Sequence, residues 1–166
     1  AALPGGPPLH PGGPPGLPVD ELAALETQLE EVQGSHPRLH ASLAGLDPFQ
    51  LQAVLSEDRG ALVLAQVGSG KTAVLVHKVL YLHLVRGVPL RELAVLTFTN
   101  QAAQQLRARI VTLCDGPIAA DALWLMGTFH GVARALLEQA LPLEQVGHRA
   151  GFSILDEAAA RALALQ

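Results

Sequence analysis

Apolar positions along this chain follow two patterns. Leu22, Leu25, Leu29 and Val32 recur at three- and four-residue intervals and form one stripe along a helix of about four turns. Asp20 stands where an N-cap is expected, and Gly34-Ser-His-Pro37 is expected to end the helix. Residues 19–36 therefore read as an amphipathic helix. Its stripe either packs on the chain's own domain or, through residues 20–33, meets a partner protein. Further on, near-continuous apolar runs at Leu62–Ala65, Leu93–Phe98 and Leu123–Phe129 read as strands buried on both faces. They alternate with helical-period segments at Pro48–Leu55, Lys71–Val85, Asn100–Leu113, His130–Leu141 and Asp156–Leu165. Such alternation predicts an α/β fold, a parallel sheet joined by right-handed crossovers. Ligands of open parallel sheets gather at the carboxyl ends of strands. Polar residues follow all three predicted strands: Gly68 to Thr72, Thr97 to Asn100, then Thr128 and His130.

Composition adjusts this picture at the ends. Residues 1–18 hold twelve Pro or Gly and no periodic apolar pattern, too little apolar surface to offset ordering, so a disordered tail is expected. No run approaches the ~18 uninterrupted apolar residues of a membrane span, and no basic start followed by an apolar block marks a signal peptide. The lone Cys114 can form no internal disulfide, and its isolation argues against a zinc site. A cytoplasmic protein without membrane contact is expected. The net charge of −4 is unevenly spread: −6 over residues 1–70, +5 over 71–113 and −3 over 114–166. Only the middle third can present a positive face to phosphates, and the same charges also suit a solvated helix surface.

The sharpest chemical signal is Ala65-Gln66-Val67-Gly68-Ser69-Gly70-Lys71-Thr72, between a predicted strand and a predicted helix. That context is what a phosphate-binding loop requires. Glycines let backbone N–H groups curl around an anion, and a helix N-terminus adds its positive dipole end. Lys71 is placed to reach the β- and γ-phosphates of a nucleoside triphosphate, and the Thr72 hydroxyl to help hold Mg²⁺. The first motif position carries Ala65 in place of Gly.

A second constellation, Thr97-Phe98-Thr99-Asn100, ends a predicted strand and opens a helix that Thr99 or Asn100 would cap. An aromatic ring beside small polar groups suits single-stranded nucleic acid, because bases stack on rings while hydroxyls and helix N–H groups hold phosphates. Gly127-Thr128-Phe129-His130 repeats the arrangement at the next strand end. Phe98 and Phe129 also fit a core, and His130 a helix cap.

Together these motifs resemble, in order, those of the UvrD/Rep/PcrA-like DNA helicases of superfamily 1A, at the start of their first motor domain. Leu46-Asp-Pro-Phe-Gln50 is similar to their adenine-reading Q motif, and Ala65–Thr72 to motif I, where Ala at the first position is normal. Thr97–Ala103 resembles motif Ia, Gly127–His130 the short DNA-contacting motif after it, and Phe152–Glu157 the segment before the accessory helical subdomain. The resemblance covers roughly residues 40–160. It implies a P-loop NTPase (RecA-like) domain over residues 40–166, incomplete, with an accessory subdomain beginning near residue 130. It implies that Gln50 reads adenine, that the loop from Ala65 to Thr72 holds ATP and Mg²⁺, and that Thr97, Phe98, Thr99, Asn100, Thr128 and His130 touch single-stranded DNA. Two departures stand out: Ala73 and Gln101 occupy positions where the family usually carries cations.

Hydrolysis also needs an acidic pair to hold Mg²⁺ and orient water. Ile154-Leu155-Asp156-Glu157 has that shape, yet the resemblance places it before the true acidic motif. Asp156 equally suits a helix N-cap and Glu157 a first-turn acid. Nothing resembles the later helicase motifs. The expectation is the N-terminal part of a longer helicase, inactive in unwinding by itself. The alternative is a truncated or degenerate nucleotide-binding module that acts through partners.

Overall fold

The structure, a computed structural model, describes residues 16–66, 68–114, 116–119, 121–139, 147, 161 and 163. The expected tail up to residue 15, Val67, the segment Phe152–Glu157, the predicted helix Asp156–Leu165 apart from residues 161 and 163, and nearly all of the expected accessory subdomain beyond Gln139 lie outside the described residues. The chain divides into two compact units, Ala1–Gly87 with Thr112–Gly116, and Val88–Val111 with Pro117–Gln166.

The first unit is helical. Helix α1 spans Val19–Ser35. Its N-cap position is held by Pro18 without a side-chain cap, and Asp20, predicted as the cap, lies inside the first turn with Glu21. There both acids favour the helix dipole. Leu25 and Val32 are buried, and α1 packs on the two helices that follow, so this part of the stripe packs within its own unit, the first of the two expected outcomes. Pro37 does end α1, but it also opens a helix the sequence reading missed, α2 (Pro37–Leu43), where it sits in the first turn. Proline suits that position because its missing N–H is an orphan there anyway. Leu39 and Leu43, four residues apart, bury that helix.

Helix α3 (Pro48–Leu55) has the bounds the sequence predicts. Asp47 caps it by accepting from Gln50 N, while the Gln50 side chain accepts from Asp47 N, a complete capping box with Pro48 at the first position. Helix α4 (Lys71–Leu80) continues into one π-helical turn, Tyr81–Val85, so the predicted 71–85 helix is continuous but changes winding. Two side chains of α4 fasten it to its neighbours. The buried His77 bonds Ser42 Oγ at 2.6 Å and Ala73 O at 2.7 Å. Lys78 donates to Val54 O at 2.9 Å and to Ser56 O, satisfying carbonyls at the end of α3. Burial pushes the Lys78 ammonium below its usual range, against the pull of Glu57 and Asp58.

The predicted strand Leu62–Ala65 is not formed. Residues 61–66 lie outside any helix or strand, with Leu62 and Leu64 85% and 80% exposed. Their own unit contains no strand among the described residues, and without one an extended segment has no ladder to join there.

The second unit holds a two-stranded parallel sheet, β1 (Val95–Thr97) and β2 (Met126–Thr128). Its register pairs Val95 with Met126, Leu96 with Gly127 and Thr97 with Thr128. Both strands are shorter than their apolar runs. Residues 121–125 form a turn instead, with Trp124 Nε1 donating to Arg91 O at 3.0 Å. Between the strands runs α5 (Asn100–Leu113), with the predicted bounds and a buried stripe of Ala103, Leu106 and Ile110. Helix α6 (Phe129–Gln139) starts one residue earlier than predicted and packs on both strands. The α/β class is thus present in part, with one parallel strand pair among the described residues. No helix among them is long and apolar enough to cross a membrane.

Candidate functional site

The loop before α4 is the segment the sequence reads as a phosphate cradle. Gly68 and Gly70 adopt φ of 84° and 77°, left-handed values open to glycine at little cost. Gly70 is the N-cap of α4 and offers no side-chain oxygen, so the first-turn amides keep their hydrogen-bonding capacity for an anion. The loop is closed by its own groups. Ser69 Oγ donates to Gln66 O at 2.7 Å and Ser69 N to the same oxygen at 3.3 Å. Lys71 Nζ donates to Ala65 O at 3.1 Å and also to Gln66 O. Lys71 and Thr72 are both exposed, so these bonds can be exchanged for others without unburying either side chain.

Gln50 is brought to this loop from α3. Its Nε2 donates to Ser69 O at 3.1 Å, and a Cβ on Gly70 would lie 2.8 Å from that nitrogen. The structure therefore joins the predicted base-reading residue to the predicted phosphate loop. The residues fit a nucleotide: an exposed cation, an uncapped helix N-terminus and two left-handed glycines share one loop. Among the described residues no group of three His, Cys, Asp or Glu could hold a metal ion. A divalent cation here would rest on the Thr72 hydroxyl and on phosphate oxygens, a coordination natural to Mg²⁺.

The strand ends of the second unit form a separate polar and aromatic cluster. Thr97 Oγ1 donates to Thr99 O at 3.1 Å and lies 3.4 Å from Gly127 O. Thr99, not Asn100, caps α5, its Oγ1 accepting from Ala102 N at 3.1 Å. Thr128 does the same for α6, accepting from Gly131 N at 3.2 Å. Asn100 and His130 are exposed in the first turns of these helices, so His130 is neither a core residue nor the cap. Phe98 is 92% exposed and Phe129 50%, with ring centroids 5.8 Å apart and planes tilted by 49°. Two large rings left in water against ordinary burial preference form an aromatic surface.

One neighbour of the cluster escaped the sequence reading. Arg107 of α5 donates from Nε to Met126 O at 2.6 Å, and its Nη2 lies 3.4 Å from where a Cβ on Gly127 would stand. Arginine on a helix surface carries no sequence signal of such a contact. The glycine opening Gly127-Thr-Phe-His130 is its only trace.

A left-handed glycine loop running into Lys-Thr at an uncapped helix start supplies the loop and helix of a phosphate-loop protein of the α/β class, without the strand expected before them. The profile of the UvrD/REP helicase N-terminal domain matches residues 46–166, and the chain belongs to that family. It is 38% identical over 116 residues to the ATP-dependent DNA helicase PcrA of Bacillus subtilis (strain 168), covering 70% of this chain and 15% of that protein. It is 43% identical over 115 residues to the ATP-dependent DNA helicase UvrD1 of Mycobacterium bovis (strain ATCC BAA-935 / AF2122/97), covering 69% and 14%. To DNA helicase II of Escherichia coli (strain K12) it is 41% identical over 95 residues, covering 57% and 13%. The chain thus spans 13% to 15% of the length of these relatives.

Proposed function

We propose that this chain is the ATP-binding part of a DNA helicase, which in the complete protein couples ATP hydrolysis to translocation on single-stranded DNA and to unwinding. The observation that carries the reading is the loop from Gly68 to Thr72, with its two left-handed glycines, exposed Lys71 and uncapped α4. Lys71 Nζ leaves the carbonyls of Ala65 and Gln66 for the β- and γ-phosphates, an exchange of neutral acceptors for charged ones that favours the bound state. The first-turn amides of α4 donate to the same phosphate group. The Thr72 hydroxyl would hold Mg²⁺, which when bound would neutralise charge on the phosphate oxygens. Gln50 leaves Ser69 O to read the adenine edge.

Single-stranded DNA lies across Thr97, Phe98, Thr99, Asn100, Thr128 and His130. Bases stack on the exposed Phe98 ring, with Phe129 beside it, while hydroxyls and the first turns of α5 and α6 meet phosphates.

The test is ATP–Mg²⁺ binding and turnover by the purified chain, with and without single-stranded DNA, beside Lys71→Ala. Expected is binding that the substitution removes, with negligible turnover. Binding unchanged in Lys71→Ala would overturn the loop assignment. DNA-stimulated turnover abolished by Glu157→Gln would instead make Asp156-Glu157 catalytic within this chain.

A further inference from the structure

We propose that Arg107 is a phosphate contact of the single-strand site, a cation that neither the motifs nor the resemblance assigns; the proposal rests on the single-stranded DNA reading above. Three observations lead there. Arg107 and Asn100 are seven residues apart on α5, which puts them nearly in line on one face, about 10 Å apart along the axis. Arg107 is exposed as a residue, yet its guanidinium is held at one end: Nε donates to Met126 O at 2.6 Å in a part-buried bond, two residues before Thr128. Its Nη2 lies against Gly127, where a Cβ would stand only 3.4 Å away, so the absence of a side chain at 127 leaves room for it.

An arginine anchored through Nε keeps its terminal nitrogens as a fixed fork, the geometry that suits a phosphate. The position also bears on the sequence. Gln101 stands where the family usually carries a cation, and Arg107 supplies positive charge to the same unit from the far side of the α5 turn. Thr97, Thr99 and Thr128 bring hydroxyls but no charge, so Arg107 gives the cluster the ionic term that dominates affinity for a nucleic-acid backbone.

Arg107→Gln separates contact from scaffolding. The glutamine Nε2 occupies the same place along the side chain as arginine Nε, so donation to Met126 O survives while the charged fork is removed. The measurement is binding of a fluorescent oligothymidylate across a salt series by wild type, Arg107→Gln and Arg107→Lys, with thermal midpoints recorded alongside. Each single-strand phosphate contact contributes about 0.7 to the slope of log affinity against log salt. Arg107→Gln is expected to flatten the slope by about that amount and to weaken binding several-fold at low salt, with its midpoint held. Arg107→Lys, which keeps a cation, is expected to keep the slope. A glutamine variant with the wild-type slope, or a lysine variant with the flattened one, overturns the proposal. Wild type that leaves the oligonucleotide unbound at low salt overturns the single-strand reading itself.

Discussion

Gln50 is engaged at both ends of its amide: Oε1 accepts from Asp47 N at 3.0 Å and Nε2 donates to Ser69 O at 3.1 Å. The first bond belongs to the start of α3, the second to the phosphate loop. Gln50→Glu divides them, because glutamate serves the capping box as well as glutamine but has no donor for Ser69 O. The expected result is a thermal midpoint close to wild type and ATP affinity lower by about tenfold, roughly 1.4 kcal/mol. A midpoint that falls together with affinity would place the role of Gln50 in folding alone. Phe98 offers a similar separation for DNA. At 92% exposed it contributes little to the fold, so Phe98→Ala is expected to leave stability within about 0.5 kcal/mol. Loss of one stacking ring is expected to weaken single-strand binding by about 1–3 kcal/mol. Equal binding by this variant in a fluorescence titration would remove Phe98 from the site.

Among the elements, α4 depends most on side chains that tie it to others. In the neutral tautomer, His77 Nδ1–H donates to Ala73 O and Nε2 accepts from the Ser42 hydroxyl, which joins α2 to α4. Ser42→Ala leaves a buried ring nitrogen unsatisfied, a cost of about 1–3 kcal/mol. Ser35→Ala is the control, because the Ser35 hydroxyl donates to Glu31 O in its own exposed turn. A lower urea midpoint for Ser42→Ala alone is the expected outcome; equal midpoints would mean the bond adds nothing to stability. The same helix starts in the phosphate loop, so a looser α4 is also expected to bind nucleotide less tightly.

At the scale of the whole molecule, what could be read from sequence is what local signals determine. The bounds of α3 and α5 are legible because Asp47 and Thr99 mark their starts by caps that act within three residues. The phosphate loop is legible for the same reason, its glycines and Lys-Thr being contiguous. The predicted strand Leu62–Ala65 is absent because an apolar run signals burial, whereas a strand exists only beside another strand. Helix α2 was missed because Pro37 is both a stop and a start. Neither the exposure of Phe98 and Phe129 nor the reach of Arg107 is written locally. Each depends on a residue 19 or more positions away, brought near by the pairing of β1 with β2.

That same pairing sets Thr99 and Thr128 at the starts of α5 and α6, where each hydroxyl oxygen already accepts a helix amide. An oxygen that accepts becomes a better donor of its own proton. Under the single-strand reading these two groups turn a proton outward, toward the oxygens that every nucleotide carries alike. Under that same reading, such a surface grips any strand without consulting its letters.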